Sequence, residues 1–184
     1  MSDKELLEKF SNPTSRNDAF NVLIKTYQQR VYWHIRKMVI DHDDANDLTQ
    51  ETFIKAWKGL DSFKGDSQLF TWLYRIATNE CLSFLGRKKR RFFLPNYDLS
   101  EDLANKLDDS STISGEEIQL KLQKALLSLP DKQRLVFNMK YFDDMKYEEI
   151  SEITGTSVGG LKSSYHLAIK KIEEFLSNQE DFGL

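Results

Sequence analysis

Residues 63–79 concentrate groups able to stack on, and hydrogen-bond to, nucleobases: Phe63, Phe70, Trp72, Tyr74 and Asn79, with Lys64 and Arg75 among them. An exposed aromatic ring can stack an unpaired base for about 1–3 kcal/mol, and an asparagine amide can pair with a base edge. Leu69, Leu73, Ile76 and Ala77 share a helical spacing that suits the core, which leaves Trp72 and Arg75 nearer solvent. The preceding stretch, Phe63, Lys64, Gly65, Asp66, Ser67 and Gln68, offers the donors and acceptors that an extruded base requires. A basic run from Arg87 to Arg91, led by Arg87 and Lys88, follows the aromatic helix and suits phosphate contact.

Two further constellations bind rather than react. In DLTQETFIKAW (Asp47 to Trp57), Asp47 and Glu51 stand four apart on one helical face with Gln50 between them. That spacing suits arginines on a partner protein, while Phe53 and Trp57 divide between core and surface. In YEEISEITGTSVGGLKSSYHLAIKK (Tyr147 to Lys171), Ile150, Ile153, Val158 and Leu161 can pin two short helices around Gly155, with Thr156 or Ser157 as cap. This is the helix-turn-helix pattern. Its second helix would offer Ser157, Gly160, Lys162, Ser163, Ser164, His166 and Lys170 to a major groove. The pair Gly159–Gly160 lowers helix stability and would permit close backbone approach to DNA.

Reaction chemistry has no comparable signal. The three histidines, His34, His42 and His166, are scattered, and no nucleophile–base set, phosphate-cradling glycine loop or metal-ligand spacing occurs. The expectation is therefore no enzyme, no cofactor and no metal. The single cysteine, Cys81, sits in an apolar helical stretch and reads as a core residue. No apolar run approaches the roughly 18 residues of a membrane helix, and the charged start MSDKELLEKF lacks a signal-peptide core, so a cytoplasmic protein is expected. The net charge of −3 hides a segregation: residues 62–97 hold seven basic and two acidic side chains, residues 98–117 one and seven. Local sign matters more than the total for phosphate binding.

The elements needed to position these residues are helical. Apolar residues from Phe20 to Met38 recur at three- and four-residue steps. Asp41 to Asp44 reads as a loop that caps a helix from about Ala45 to Leu60. Gly65–Ser67 breaks the pattern, with Asp66 or Ser67 able to cap a helix reaching about Leu85. Residues 92–117 lack a period and read as an acidic linker. Leu122 to Leu129, then Leu135, Val136, Met139 and Tyr141, suit two packed helices on either side of Pro130. Two more short helices flank Gly155, the last reaching about Leu176, with a frayed tail from Asn178. The fold class expected is all-α: an N-terminal helical bundle over 5–91, a flexible linker over 92–117 and a helix-turn-helix domain over 118–177.

Taken in order and spacing, DLTQETFIKAW, FKGDSQLFTWLYRIATN, LPDKQRLVFNMKY and the helix-turn-helix make the chain resemble bacterial RNA polymerase sigma factors of the extracytoplasmic-function (ECF) type, from about Phe20 to Leu176. The resemblance implies that Asp47, Gln50, Glu51, Phe53 and Trp57 bind core RNA polymerase. It implies that Phe63, Lys64, Gly65, Asp66, Ser67, Trp72, Arg75, Asn79, Arg87 and Lys88 capture the melted minus-10 element of promoter DNA. It assigns the minus-35 element to the helix-turn-helix, the polymerase's RNA exit path to the linker, and an anti-sigma factor to the Asp47–Trp57 surface. Ser164, Leu167 and Ile169 stand where the family's recognition helix often carries arginines, so weak binding of DNA by the isolated protein is expected. A stand-alone helix-turn-helix repressor is the alternative, and it leaves residues 45–91 without a purpose.

Overall fold

The computed structural model describes residues 2–91 and 117–180. Among them are eight α-helices and no strand: α1 (Asp3–Ser11), α2 (Arg16–Val39), α3 (His42–Gly59), α4 (Leu69–Arg91), α5 (Glu117–Leu127), α6 (Asp131–Phe137), α7 (Tyr147–Thr154) and α8 (Val158–Glu180). They form two compact units, one of residues up to Phe84 together with Glu152–Thr154, and one of the remaining residues from Leu85 onward. The expected linker, 92–117, lies outside the described residues except for Glu117, which opens α5. None of the described helices is long and apolar enough to cross a membrane.

In the first unit, α2 packs against both α1 and α3. Most of the periodic residues of α2 are buried as expected, with Leu23, Val31, Ile35 and Met38 at 0% exposure, while Ile24 and Tyr27 are half-buried. Asp41 caps α3, its Oδ1 accepting from the amides of Asp43 and Asp44 at 2.9 and 3.0 Å. With that cap in place His42–Asp44 are already helical, three residues earlier than the sequence suggests. A single 3₁₀ turn, Leu60–Ser62, then leads into an irregular loop over 63–68. Helix α4 closes the unit by burying Leu69, Leu73, Tyr74, Ala77 and Cys81. His34 of α2 meets Thr78 of α4 at 2.9 Å inside the core.

Helix α4 continues to Arg91 instead of ending near Leu85. Arginine and lysine are good helix formers, and positive charge is favoured at a helix C-terminus, so the basic run forms the helix's last turns.

In the second unit, α8 packs against α5 and α6. Ala125, Leu126, Leu129, Phe137, Ala168 and Ile172 form its hub. After α6 the chain makes a wide π turn, Asn138–Phe142, in which the Asp143 amide donates to the Asn138 carbonyl at 3.2 Å. The wider turn shifts the helical phase. Met139 is buried, whereas Tyr141, which shares its apolar spacing in the sequence, is 58% exposed. Helix α8 runs to Glu180, beyond the expected end at Leu176 and through Asn178.

Candidate nucleic-acid interface

The outer face of α3 carries Asp47, Gln50 and Glu51, all exposed. Ile54 shares that face one turn on and is 53% exposed. Sequence reasoning missed it, although an apolar residue three beyond Glu51 and seven beyond Asp47 was the available signal. Phe53 is only 7% exposed and stands edge-on to Phe20 at 6.4 Å. Half-buried Trp57 makes edge contacts with Phe10 and Phe20 at 5.3 and 5.0 Å. The expected five-residue surface therefore separates into an exposed polar row, joined by Ile54, and an aromatic layer beneath it.

The loop over 63–68 has the same construction. Phe63 is half-buried and lies 5.2 Å from the Trp72 ring. Trp72 in turn covers Gly59, where an added Cβ would sit 3.2 Å from the indole. Gly59 thus lets the ring close on the end of α3. Lys64, Gly65 and Asp66 are exposed and Ser67 is half-buried. Gly65 takes φ +76, the left-handed region that glycine enters without penalty. Neither alternative cap opens α4 directly: the Leu69 amide donates to Asp3 Oδ2 at 2.9 Å. Along α4, Trp72, Arg75 and Asn79 follow at three- and four-residue steps, with Arg75 and Asn79 exposed. Arg87 is exposed further along the same helix and Lys88 is half-buried. Lys55 of α3 pairs with Glu80 of α4, whose side chain is 9% exposed.

In the second unit the helix-turn-helix is formed by α7 and α8. Gly155 takes φ +71 and its amide donates to the Ser151 carbonyl at 2.9 Å, ending α7 in the left-handed conformation. Of the two capping alternatives, Ser157 fills the position, its Oγ accepting from the Gly160 amide at 3.2 Å. Ile150, Ile153 and Leu161 are buried.

Gly160 sits against the turn. A Cβ there would lie 3.2 Å from both Ser157 Oγ and Thr156 Cγ2. Its missing side chain therefore serves the tight turn, whereas Gly159 faces open space. Ser157, Lys162, Ser163, His166 and Lys170 are exposed, and Ser164 is half-buried. Lys162 and Lys140 lie over the Tyr147 ring at 5.8 and 5.3 Å. Tyr165 lies 5.7 Å from Phe137 in a stacked arrangement, and burial, followed by the nearby Tyr147 and Tyr141, raises its phenol pKa above the ordinary value.

Comparison with known proteins matches both units. Residues 23–91 match the family described as Sigma-70 region 2, and residues 119–172 match Sigma-70, region 4. The chain is 32% identical to the ECF RNA polymerase sigma-E factor of Haemophilus influenzae, over 94% of each chain. It is 29% identical to the RNA polymerase sigma-H factor of Pseudomonas aeruginosa, over 95% of this chain and 93% of that one. Among solved structures, it resembles the sigma factor RpoE of Bartonella quintana, crystallised with the anti-sigma factor NepR (TM-score 0.65, 25% identity, covering 86% of this chain and 96% of that one). CnrH, solved with the cytosolic domain of CnrY, shares the fold (TM-score 0.68, 23% identity, covering 96% and 97%).

Proposed function

The chain belongs to the ECF RNA polymerase sigma factors, and from that membership we propose how its two helical units divide the work of starting transcription at chosen promoters. The family's activity is promoter-specific initiation, and the repressor alternative has no comparable match. The exposed row Asp47, Gln50, Glu51 and Ile54 docks on core RNA polymerase, with Phe53 and Trp57 stiffening it from below. Its acids pair with cations on the polymerase, and Ile54 supplies a desolvated centre.

Unit by unit, 5–91 acts as sigma region 2, 92–117 as the connector and 118–177 as region 4. The loop from Phe63 to Ser67, with Trp72, Arg75 and Asn79, takes a flipped minus-10 base, while Arg87 and Lys88 hold phosphates. Ser157, Lys162, Ser163, Ser164, His166 and Lys170 face the minus-35 duplex, with Gly160 shaping the turn beneath them. Binding energy is converted into strand opening, and all bond chemistry stays with the polymerase, so the chain itself is not an enzyme. Its site of action is the cytoplasm, alongside the polymerase. An anti-sigma factor that covers the α3 face would compete directly with polymerase.

The observation that carries this reading is the seating of Phe63 on Trp72 beside a left-handed Gly65, directly after the acidic face of α3. It is a preformed rim for a single base joined to a protein-docking surface. The test is reconstitution: the purified chain should co-elute with core polymerase and direct run-off transcription from a subset of a promoter library. A chain that instead binds a duplex operator tightly as a dimer, and ignores polymerase, refutes it.

A further inference from the structure

The first 22 residues precede both family matches, yet they touch the base-capture loop at its two ends. Helix α1 is firmly seated. Ser2 and Glu5 form a reciprocal capping box at its start, and Phe10, 1% exposed, is wedged among Phe20 and Trp57. From that seat Asp3 reaches the exit of the loop, where its Oδ2 accepts from the Leu69 amide at 2.9 Å. The first amides of any helix lack partners within it, and here a carboxylate distant in sequence supplies one. The same carboxylate raises the phenol pKa of Tyr27 after the larger effect of burial, and Tyr27 packs against Phe70 at 6.0 Å.

Arg16 reaches the entrance of the loop. Its guanidinium donates to both carboxylate oxygens of Asp61, at 3.0 and 2.6 Å. It also lies over the Phe10 and Trp57 rings, at 4.2 and 4.9 Å from their centroids. Asp61 belongs to the 3₁₀ turn that leads into Phe63. The loop is thereby pinned before Phe63 by Arg16 and after Gln68 by Asp3, and both pins are carried by one N-terminal segment.

We propose that residues 2–16 form a built-in brace, in which Asp3 and Arg16 are positioning residues that set the base-capture loop for strand selection. The proposal rests on the sigma-factor reading and extends it to a segment outside the matched regions. Partly exposed ion pairs add little to global stability, whereas a fork-shaped arginine–carboxylate pair fixes geometry. The brace should therefore be felt in selectivity more than in folding.

The experiment uses the full chain with core polymerase. Wild-type holoenzyme first selects its preferred fragment from promoters randomised across the minus-10 element. Permanganate reactivity of open complexes then gives the ratio between that fragment and a single-base variant at its most constrained position. D3A and R16Q should each lower the ratio by about threefold to tenfold, in line with the loss of a cap or a held carboxylate. Core affinity and thermal midpoint should stay near wild type. D3N keeps an acceptor oxygen and should retain most of the ratio, and the exchange R16D with D61R should recover it. Unchanged ratios in both single variants, or losses fully accounted for by weaker core binding or lower thermal stability, overturn the brace alone. A wild-type holoenzyme that enriches no fragment overturns the sigma-factor reading and the brace with it.

Discussion

The two helical units support their exposed polar residues with different materials. In the first unit, rings lie beneath them: Phe63 on Trp72, and the α3 face on Phe53, Trp57, Phe20 and Phe10. In the second, aliphatic and aromatic side chains share the support: Leu161, Ala168 and Ile172 are buried, Tyr165 stacks on Phe137 and Lys162 lies over Tyr147, while Gly155 turns the chain in the left-handed conformation. The contrast follows the targets proposed for each. An unpaired strand is flexible, so the protein must supply the order, and interlocked rings provide it. A duplex already has a regular groove, so a single helix on a mixed aliphatic and aromatic bed suffices. With few cations on α8, the second unit is expected to add selectivity more than affinity.

The strongest way to break this comparison is Phe10→Ala. Loss of a fully buried phenylalanine costs about 3–5 kcal/mol. All three tryptophans, Trp33, Trp57 and Trp72, belong to the first unit, so denaturation followed by their fluorescence should shift to lower denaturant. The part of the circular dichroism signal that comes from the second unit should not shift. A smaller effect is expected of Asn79→Ala, which removes a base-edge contact worth about 1–3 kcal/mol. Open-complex formation should fall by roughly tenfold or more while core affinity holds, and equal loss of both would erase the division between docking face and loop. Gly155→Ala places a side chain at φ +71 and should cost about 1–2 kcal/mol. That loss should appear in circular dichroism of the second unit and leave tryptophan fluorescence unmoved. The mildest is Lys162→Ala. Promoter affinity of the holoenzyme should weaken about evenly across sequences, and the slope of log affinity against log salt should drop by about one. A change confined to one minus-35 base would instead make Lys162 a reader of sequence.

Much of this architecture was legible in the sequence where a local rule governs it. Helix α2 follows from its three- and four-residue apolar steps, and the turn at Gly155 follows from backbone freedom. The π turn at 138–142 escaped because apolar spacing carries no trace of a one-residue phase shift, which leaves Tyr141 exposed despite its spacing. The extension of α4 through its basic run was hidden by reading charge as an ending, although arginine and lysine favour helices. At the candidate sites, exposed Asp47, Gln50 and Glu51 followed from spacing, while burial of Phe53 depended on Phe20, a residue of another helix. The Asp3–Leu69 contact joins residues 66 apart, and no periodicity reports a pairing made only by tertiary packing.

Cys81 is 0% exposed and is the chain's single thiol. A maleimide dye should therefore pass over the native protein and attach only where a surface cysteine is added. One such addition in each unit would turn the unmodified background into a two-colour ruler, able to follow the separation of the units as the chain meets its polymerase.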